Sequence, residues 1–117
     1  MEEREMKERR KHKRIDITID VEYNMSRQQS WFEAGTRNIC CMGICLITPT
    51  LLSPGSVLHL RFKLPDTSRK IEVTGEVIWE DYVLEKNYYI TGIQFTEIKQ
   101  SDIELITKFI NNATFEM

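Results

Sequence analysis

The sequence predicts an all-β fold, a six-stranded antiparallel barrel with a carboxy-terminal α-helix. Three observations lead there. Apolar and polar residues alternate at period two through most of the chain, Pro- and Gly-containing turns separate these runs at short intervals, and only the last segment changes to helical spacing. At 117 residues, 41% of them hydrophobic and 29% charged, the chain has the size and composition of one globular domain with a modest core.

The elements follow in order. Ile15, Ile17, Ile19, Val21 and Tyr23 alternate with Asp16, Thr18, Asp20 and Glu22, which predicts a half-buried first strand. Residues 25–30 are polar and read as a hairpin connection. Trp31 to Ile39 forms a second strand, and after Gly43 the run Ile44 to Thr48 forms a third. Pro49 and Ser53-Pro54-Gly55 punctuate a loop. In Val57 to Leu64, Leu58, Leu60, Phe62 and Leu64 share one face while His59, Arg61 and Lys63 take the other. A turn at 65–68 leads to Lys70–Glu80, whose alternation (Ile71, Val73, Val77, Trp79) is interrupted by Gly75 at an expected bend or bulge. Tyr88 to Phe95 completes the sheet, with Gly92 relieving crowding. Ser101 and Glu104 match a capping box, and Ile103, Leu105, Ile106, Phe109 and Ile110 make an apolar stripe, so a closing helix is expected over about 101–111.

Charge is unevenly placed. Residues 1–14 carry seven Lys or Arg and four Glu, a net of +3, and the remaining residues carry nine basic and fourteen acidic, a net of −5. A basic arm (1–14) on an acidic body (15–117) speaks against broad polyanion binding and for one local anion site. No apolar run reaches the length of a membrane span and no secretory signal is visible. Three cysteines, two adjacent, do not form a disulfide framework, and reduced thiols agree with a cytoplasmic location. Cys40 and Cys41 point to opposite faces of an extended segment, and His12 and His59 lack ligand-spaced partners, so no metal site is expected. No nucleophile–base arrangement and no paired catalytic carboxylates stand out, so no catalytic residue is assigned.

Two short segments carry the functional reading. Arg10-Lys-His-Lys-Arg14 sets two guanidinium groups four residues apart, with Arg9 beside them. Each guanidinium offers a planar fork of donors that suits phosphate oxygens or the O6/N7 edge of guanine. Asn38-Ile-Cys-Cys-Met-Gly43 sets a side-chain amide and a glycine five residues apart at a strand end. In this order and separation the two resemble the RxxxR and (D/N)xSxxG motifs of PilZ domains, many of which bind cyclic di-GMP. The likeness extends along about residues 9–110 through Gly43-Ile-Cys-Leu, Gly75-Glu-Val-Ile-Trp79 and Gly92-Ile-Gln-Phe95. One position departs: Cys40 stands where the family has serine.

The resemblance implies a PilZ-type barrel that binds cyclic di-GMP through Arg10, Arg14, Asn38, Cys40 and Gly43, with Arg9 as an accessory contact. The arginines would meet the guanines and phosphates, Asn38 a guanine edge, and Gly43 would admit the ligand by positive φ or close backbone approach. A thiol is a weaker hydrogen-bonding group than a hydroxyl. Losing one neutral hydrogen bond costs about 0.5–1.5 kcal/mol against about 1.5–3 for each charge-assisted one, so Cys40 is expected to weaken the site about tenfold. Fixing residues 10–14 costs about 1–2 kcal/mol each in backbone entropy, so the arm is expected to order only when several contacts form together. Such a domain needs no cofactor and works as a monomer or homodimer through an unidentified protein effector. The alternatives are a ligand-independent adaptor and, at lower weight, a small barrel that binds nucleic acid through the basic arm and Trp31, Trp79, Tyr88 and Tyr89.

Overall fold

The computed structural model describes residues 14–25, 30–65 and 67–116, with side chains to residue 113. Most of the basic arm, including Arg9 and Arg10, and positions 26–29 of the expected hairpin connection lie outside the described residues. The elements are β1 (Arg14–Asp16), β2 (Asp20–Met25), β3 (Phe32–Cys40), β4 (Gly43–Thr48), β5 (Val57–Lys63), β6 (Lys70–Val83), β7 (Tyr88–Glu97) and one helix, α1 (Gln100–Glu116).

All pairings are antiparallel, in the order β3-β2-β5-β6-β7-β4, and β4 returns to pair with β3. Six strands thereby close into a barrel with no edge along most of its length. The expected single strand over 15–23 is instead two pieces laid end to end along β3: β1 meets its last residues and β2 its first. The break at 17–19 has a visible cause. The Thr36 hydroxyl accepts the N–H of Ile19 at 2.9 Å and donates to the Ile17 carbonyl, while Thr36 N–H reaches the Ile19 carbonyl at 3.1 Å. A buried hydroxyl has replaced a ladder bond, so the chain stays satisfied while leaving regular strand geometry.

The alternating patterns put Val21, Leu58, Leu60, Phe62, Ile71, Val73, Val77, Ile93 and Phe95 inside. Each large side chain buried this way contributes about 1.5–3 kcal/mol of apolar transfer. The barrel mouth is covered by α1, whose Ile106 and Ile110 join the core while Ile103, Leu105 and Phe109 pack at its margin.

The helix start differs from the expected capping box. The N–H groups of Asp102 and Ile103 bond the Lys99 carbonyl at 2.9 and 3.1 Å, so Lys99 takes the cap position and Ser101 falls within the first turn. The acid of that turn is the buried Asp102, which takes the guanidinium of Arg69; Arg69 also donates to the Ser101 carbonyl at 2.9 Å. Asp102 can serve the positive helix end and neutralise Arg69 together, which the exposed Glu104 cannot. The helix also runs past Asn111-Asn112, which are only mildly unfavourable inside a helix. Among the described residues no helix is long and apolar enough to cross a membrane.

Candidate ligand-binding face

The strand register assembles the site. Ile15, Ile39, Ile44, Ile93 and Val77 form one cross-strand row over β1, β3, β4, β7 and β6, and the last four are buried in the core. Because side chains alternate, the rows on either side face outward. One outward row is Arg14, Cys40, Gly43, Gln94 and Glu76. The other is Asp16, Asn38, Cys45, Gly92 and Trp79. Arg14, Asn38, Cys40 and Gly43, expected as a group from the sequence, therefore share one face of three neighbouring strands, β1, β3 and β4.

Each position has a local reason. Cys40 and Gly43 flank the two-residue turn Cys41-Met42, and the Cys40 sulfur accepts the Met42 N–H at 3.4 Å. The thiol thus performs the turn-bracing contact that a serine hydroxyl makes elsewhere. Gly43 is not in the left-handed region, where glycine here occurs only at Gly55. Its requirement is close approach, but to the barrel itself rather than to the ligand as the motif implied: a β-carbon would lie 2.5 Å from the Ile93 carbonyl oxygen of β7. Gly92 is needed for a related reason. A β-carbon there would overlap the Trp79 indole, which lies across the glycine while remaining 45% exposed.

The face also holds residues that sequence reasoning missed. The β3–β4 register shifts between Thr36 and Asn38, leaving Arg37 as the extra, exposed residue of a bulge immediately beside Asn38. Trp79 reaches the face through a second irregularity, at Ile78, between the pairs Val77–Ile93 and Trp79–Gly92. The sequence signal for Trp79 was Gly92, since a strand glycine marks something packed against the backbone. No spacing rule announces the bulge at Arg37.

Electrostatics agrees with this grouping. Cys45 lies outside the main core cluster yet is only 5% exposed. Burial pushes its thiol above the ordinary range, opposed by the positive fields of Arg37 and then Arg14. Two arginines thus act on one point of the face. Two concavities lie elsewhere on the barrel, about 680 Å³ around His59, Thr74 and Thr96 and about 530 Å³ around Glu22, Arg61 and Lys70. Asn38, Cys40 and Gly43 line neither. Trp31, by contrast, belongs to the β2–β5 side, where Arg61 stacks on it at 3.8 Å and pairs with Glu22 at 2.8 Å. Trp31 and Trp79 therefore do not form one stacking platform. Among the described residues no group of three His, Cys, Asp or Glu is placed to hold a metal ion.

A small closed antiparallel barrel capped by one helix, with glycine-cleared outer rows carrying arginine, asparagine and tryptophan, defines the class. The chain belongs to the PilZ domain family, whose model matches residues 8–112. Solved structures repeat the fold. MotI/DgrA, the inhibitor of motility of Bacillus subtilis, is 20% identical with a TM-score of 0.81, and the match covers 92% of this chain and 52% of that one. MrkH of K. pneumonia, solved as its c-di-GMP complex, is 18% identical with a TM-score of 0.73, over 92% and 53% of the two chains. The PilZ domain of YcgR from Escherichia coli, solved with c-di-GMP, is 14% identical with a TM-score of 0.69, over 92% and 93%. The chain spans about half the length of the MotI/DgrA and MrkH chains it matches. No curated protein matches it.

Proposed function

We propose that this protein is a non-catalytic cyclic di-GMP receptor that works in the cytoplasm. The observation that carries the reading is the register bringing Arg14, Asn38, Cys40 and Gly43 onto one outward face with Trp79 at its end. Family membership and the two nucleotide-bound relatives support it. Arg14 and Arg37 pair with the phosphates and guanine edges, Asn38 bonds a guanine, and the Trp79 ring stacks on the other base. Arg10 closes over the ligand from the arm, with Arg9 as an accessory contact. Ordering of residues 1–14 against the barrel body 15–117 is the signal, passed to a protein effector that controls motility, biofilm or exopolysaccharide.

Calorimetric titration of the reduced protein with cyclic di-GMP tests this. Micromolar binding, near −8 kcal/mol, is expected. Arg14→Ala should weaken it about tenfold to a hundredfold, the worth of one charge-assisted contact. No heat in the wild type would end the receptor reading. One observation favours the alternative, a ligand-independent adaptor: the sulfur at the family's serine position is already committed to its own turn. Binding that appears only in Cys40→Ser would select that alternative.

A further inference from the structure

We propose that the outer edge of β6, from Ile78 to Val83, is a docking strand for an extended segment of a protein partner that carries Lys or Arg. The closure of the barrel stops short of this stretch. Pairing of β6 with β5 ends at Glu76, opposite Val57. Two backbone bonds then tie Val77 to the preceding loop, Gly55 N–H to the Val77 carbonyl at 2.7 Å and Val77 N–H to the Ser56 carbonyl at 2.9 Å. Beyond them β6 continues for six residues paired only with β7 among the described residues. Alternate backbone groups of that stretch face outward, which is the template used in strand addition.

Side chains around the edge indicate what it takes. Ile78, Trp79, Tyr82 and Leu84 are 50, 45, 41 and 78% exposed. That is unusual along an edge meant only to be blunted, where charge and brevity are the common devices. The tip is also braced: Tyr82 and Tyr89 are paired across the hairpin with ring centres 4.9 Å apart, and the Tyr82 hydroxyl donates to Asn87 at 2.7 Å. Charge selects the occupant. Residues 78–86 contain Glu80, Asp81 and Glu85 against one base, Lys86. A second copy pairing antiparallel about the middle of the edge would set these acids against one another, and like charges directly opposite are destabilising. A cationic strand meets them with the favourable sign, while apolar alternates would pack on Ile78 and Trp79.

Trp79 belongs both to this edge and to the proposed nucleotide face, so ligand and partner would be coupled there. That coupling rests on the receptor reading; the docking strand does not.

The test titrates the isotope-labelled full chain at low ionic strength with a blocked peptide alternating Lys and Val, followed by nuclear magnetic resonance. Shift changes and slowed amide exchange confined to 78–84 are expected, with binding reduced at least about tenfold in Glu80→Lys/Asp81→Lys. An unchanged melting temperature would show that variant to be folded. Absence of binding, shifts centred elsewhere, equal binding of a Glu–Val peptide, or indifference to the charge reversal would each overturn the proposal. So would concentration-dependent dimerisation through this edge, which would make the occupant a second copy. Cyclic di-GMP titration of the wild-type chain separates the two readings: nucleotide binding there with no peptide binding removes the docking strand alone.

Discussion

Gly43→Ala should destabilise the barrel through β7, whether or not a ligand is present. The added β-carbon would meet the Ile93 carbonyl oxygen at 2.5 Å, whereas ordinary contact begins near 3.4 Å, so one side must give by about 0.9 Å. The obstacle is backbone and has little room to move. Ile93 is paired with Ile44, Gln94 with Gly43, and Phe95 N–H bonds the Met42 carbonyl at 2.8 Å within the same corner. Overpacking of this kind costs about 1–3 kcal/mol, offset by about 0.4–1 because alanine narrows the unfolded ensemble. A net loss of about 1–2 kcal/mol corresponds to roughly 5–15 °C in melting temperature for a domain this size. Gly35→Ala is the internal control. Nothing lies within 4 Å of its added carbon, so that variant should match or exceed the wild type. Thermal melts of the three proteins without ligand, supported by urea unfolding, provide the assay. Equal melting of Gly43→Ala and wild type would refute the account and return the motif glycine to a purely ligand-directed role.

Trp79→Ala should weaken cyclic di-GMP binding by the worth of one stacked base, about 1–3 kcal/mol, and abolish any ligand quenching of indole fluorescence; unchanged affinity would remove Trp79 from the site. Arg69→Ala leaves the buried Asp102 carboxylate without its guanidinium and should cost about 1–3 kcal/mol in urea unfolding, with α1 loosening first by amide exchange. The hydrogen bond and charge of Arg61 hold the Glu22 carboxyl below its ordinary value of 4.5. The unfolded chain therefore takes up that proton first, so this contribution is complete above pH 4.5 and is lost as pH falls through the lower folded value. Glu22→Gln should flatten that part of the acid limb, and an unchanged limb would deny the coupling. For Cys45 the sign is opposite: its raised pKa contributes stability that is lost as pH rises above the ordinary thiol value of 9.0. Cys45→Ala should remove that alkaline slope from melting curves recorded against pH.

Most of the barrel could be read from the sequence because a half-buried sheet writes its faces at period two. In β5 the alternation of Leu58, Leu60 and Phe62 with His59, Arg61 and Lys63 is the observed burial pattern. Long-range side-chain contacts were not written there. Thr36 lies seventeen residues from the Ile19 amide that it accepts, and no local rule foretells that a hydroxyl will break a strand of perfect alternation. Asp102 and Arg69 likewise meet across 33 residues, so the nearer Ser101–Glu104 pattern looked sufficient to start the helix. In the site, Arg14, Asn38, Cys40 and Gly43 were legible as a motif. Arg37 was not, because it joins them through a one-residue shift between β3 and β4.

That shift bears on which side chains share the face. In a regular β3 Arg37 and Asn38 would alternate to opposite sides, so only one of them could stand on the outer face. The bulge leaves Thr36 buried and Arg37 exposed beside Asn38. The same Thr36 breaks the first strand between β1 and β2. One irregular stretch of β3 therefore does two things: it lets Arg37 and Asn38 share the outer side, and it separates Arg14–Asp16 from the rest of the first strand as a short piece paired, among the described residues, to β3 alone. This piece hydrogen-bonds to one strand and otherwise packs on α1 through contacts near Ile15, so it is among the less costly elements of the barrel to rearrange. The six closed strands meanwhile hold Asn38, Gly43 and Trp79 in fixed register.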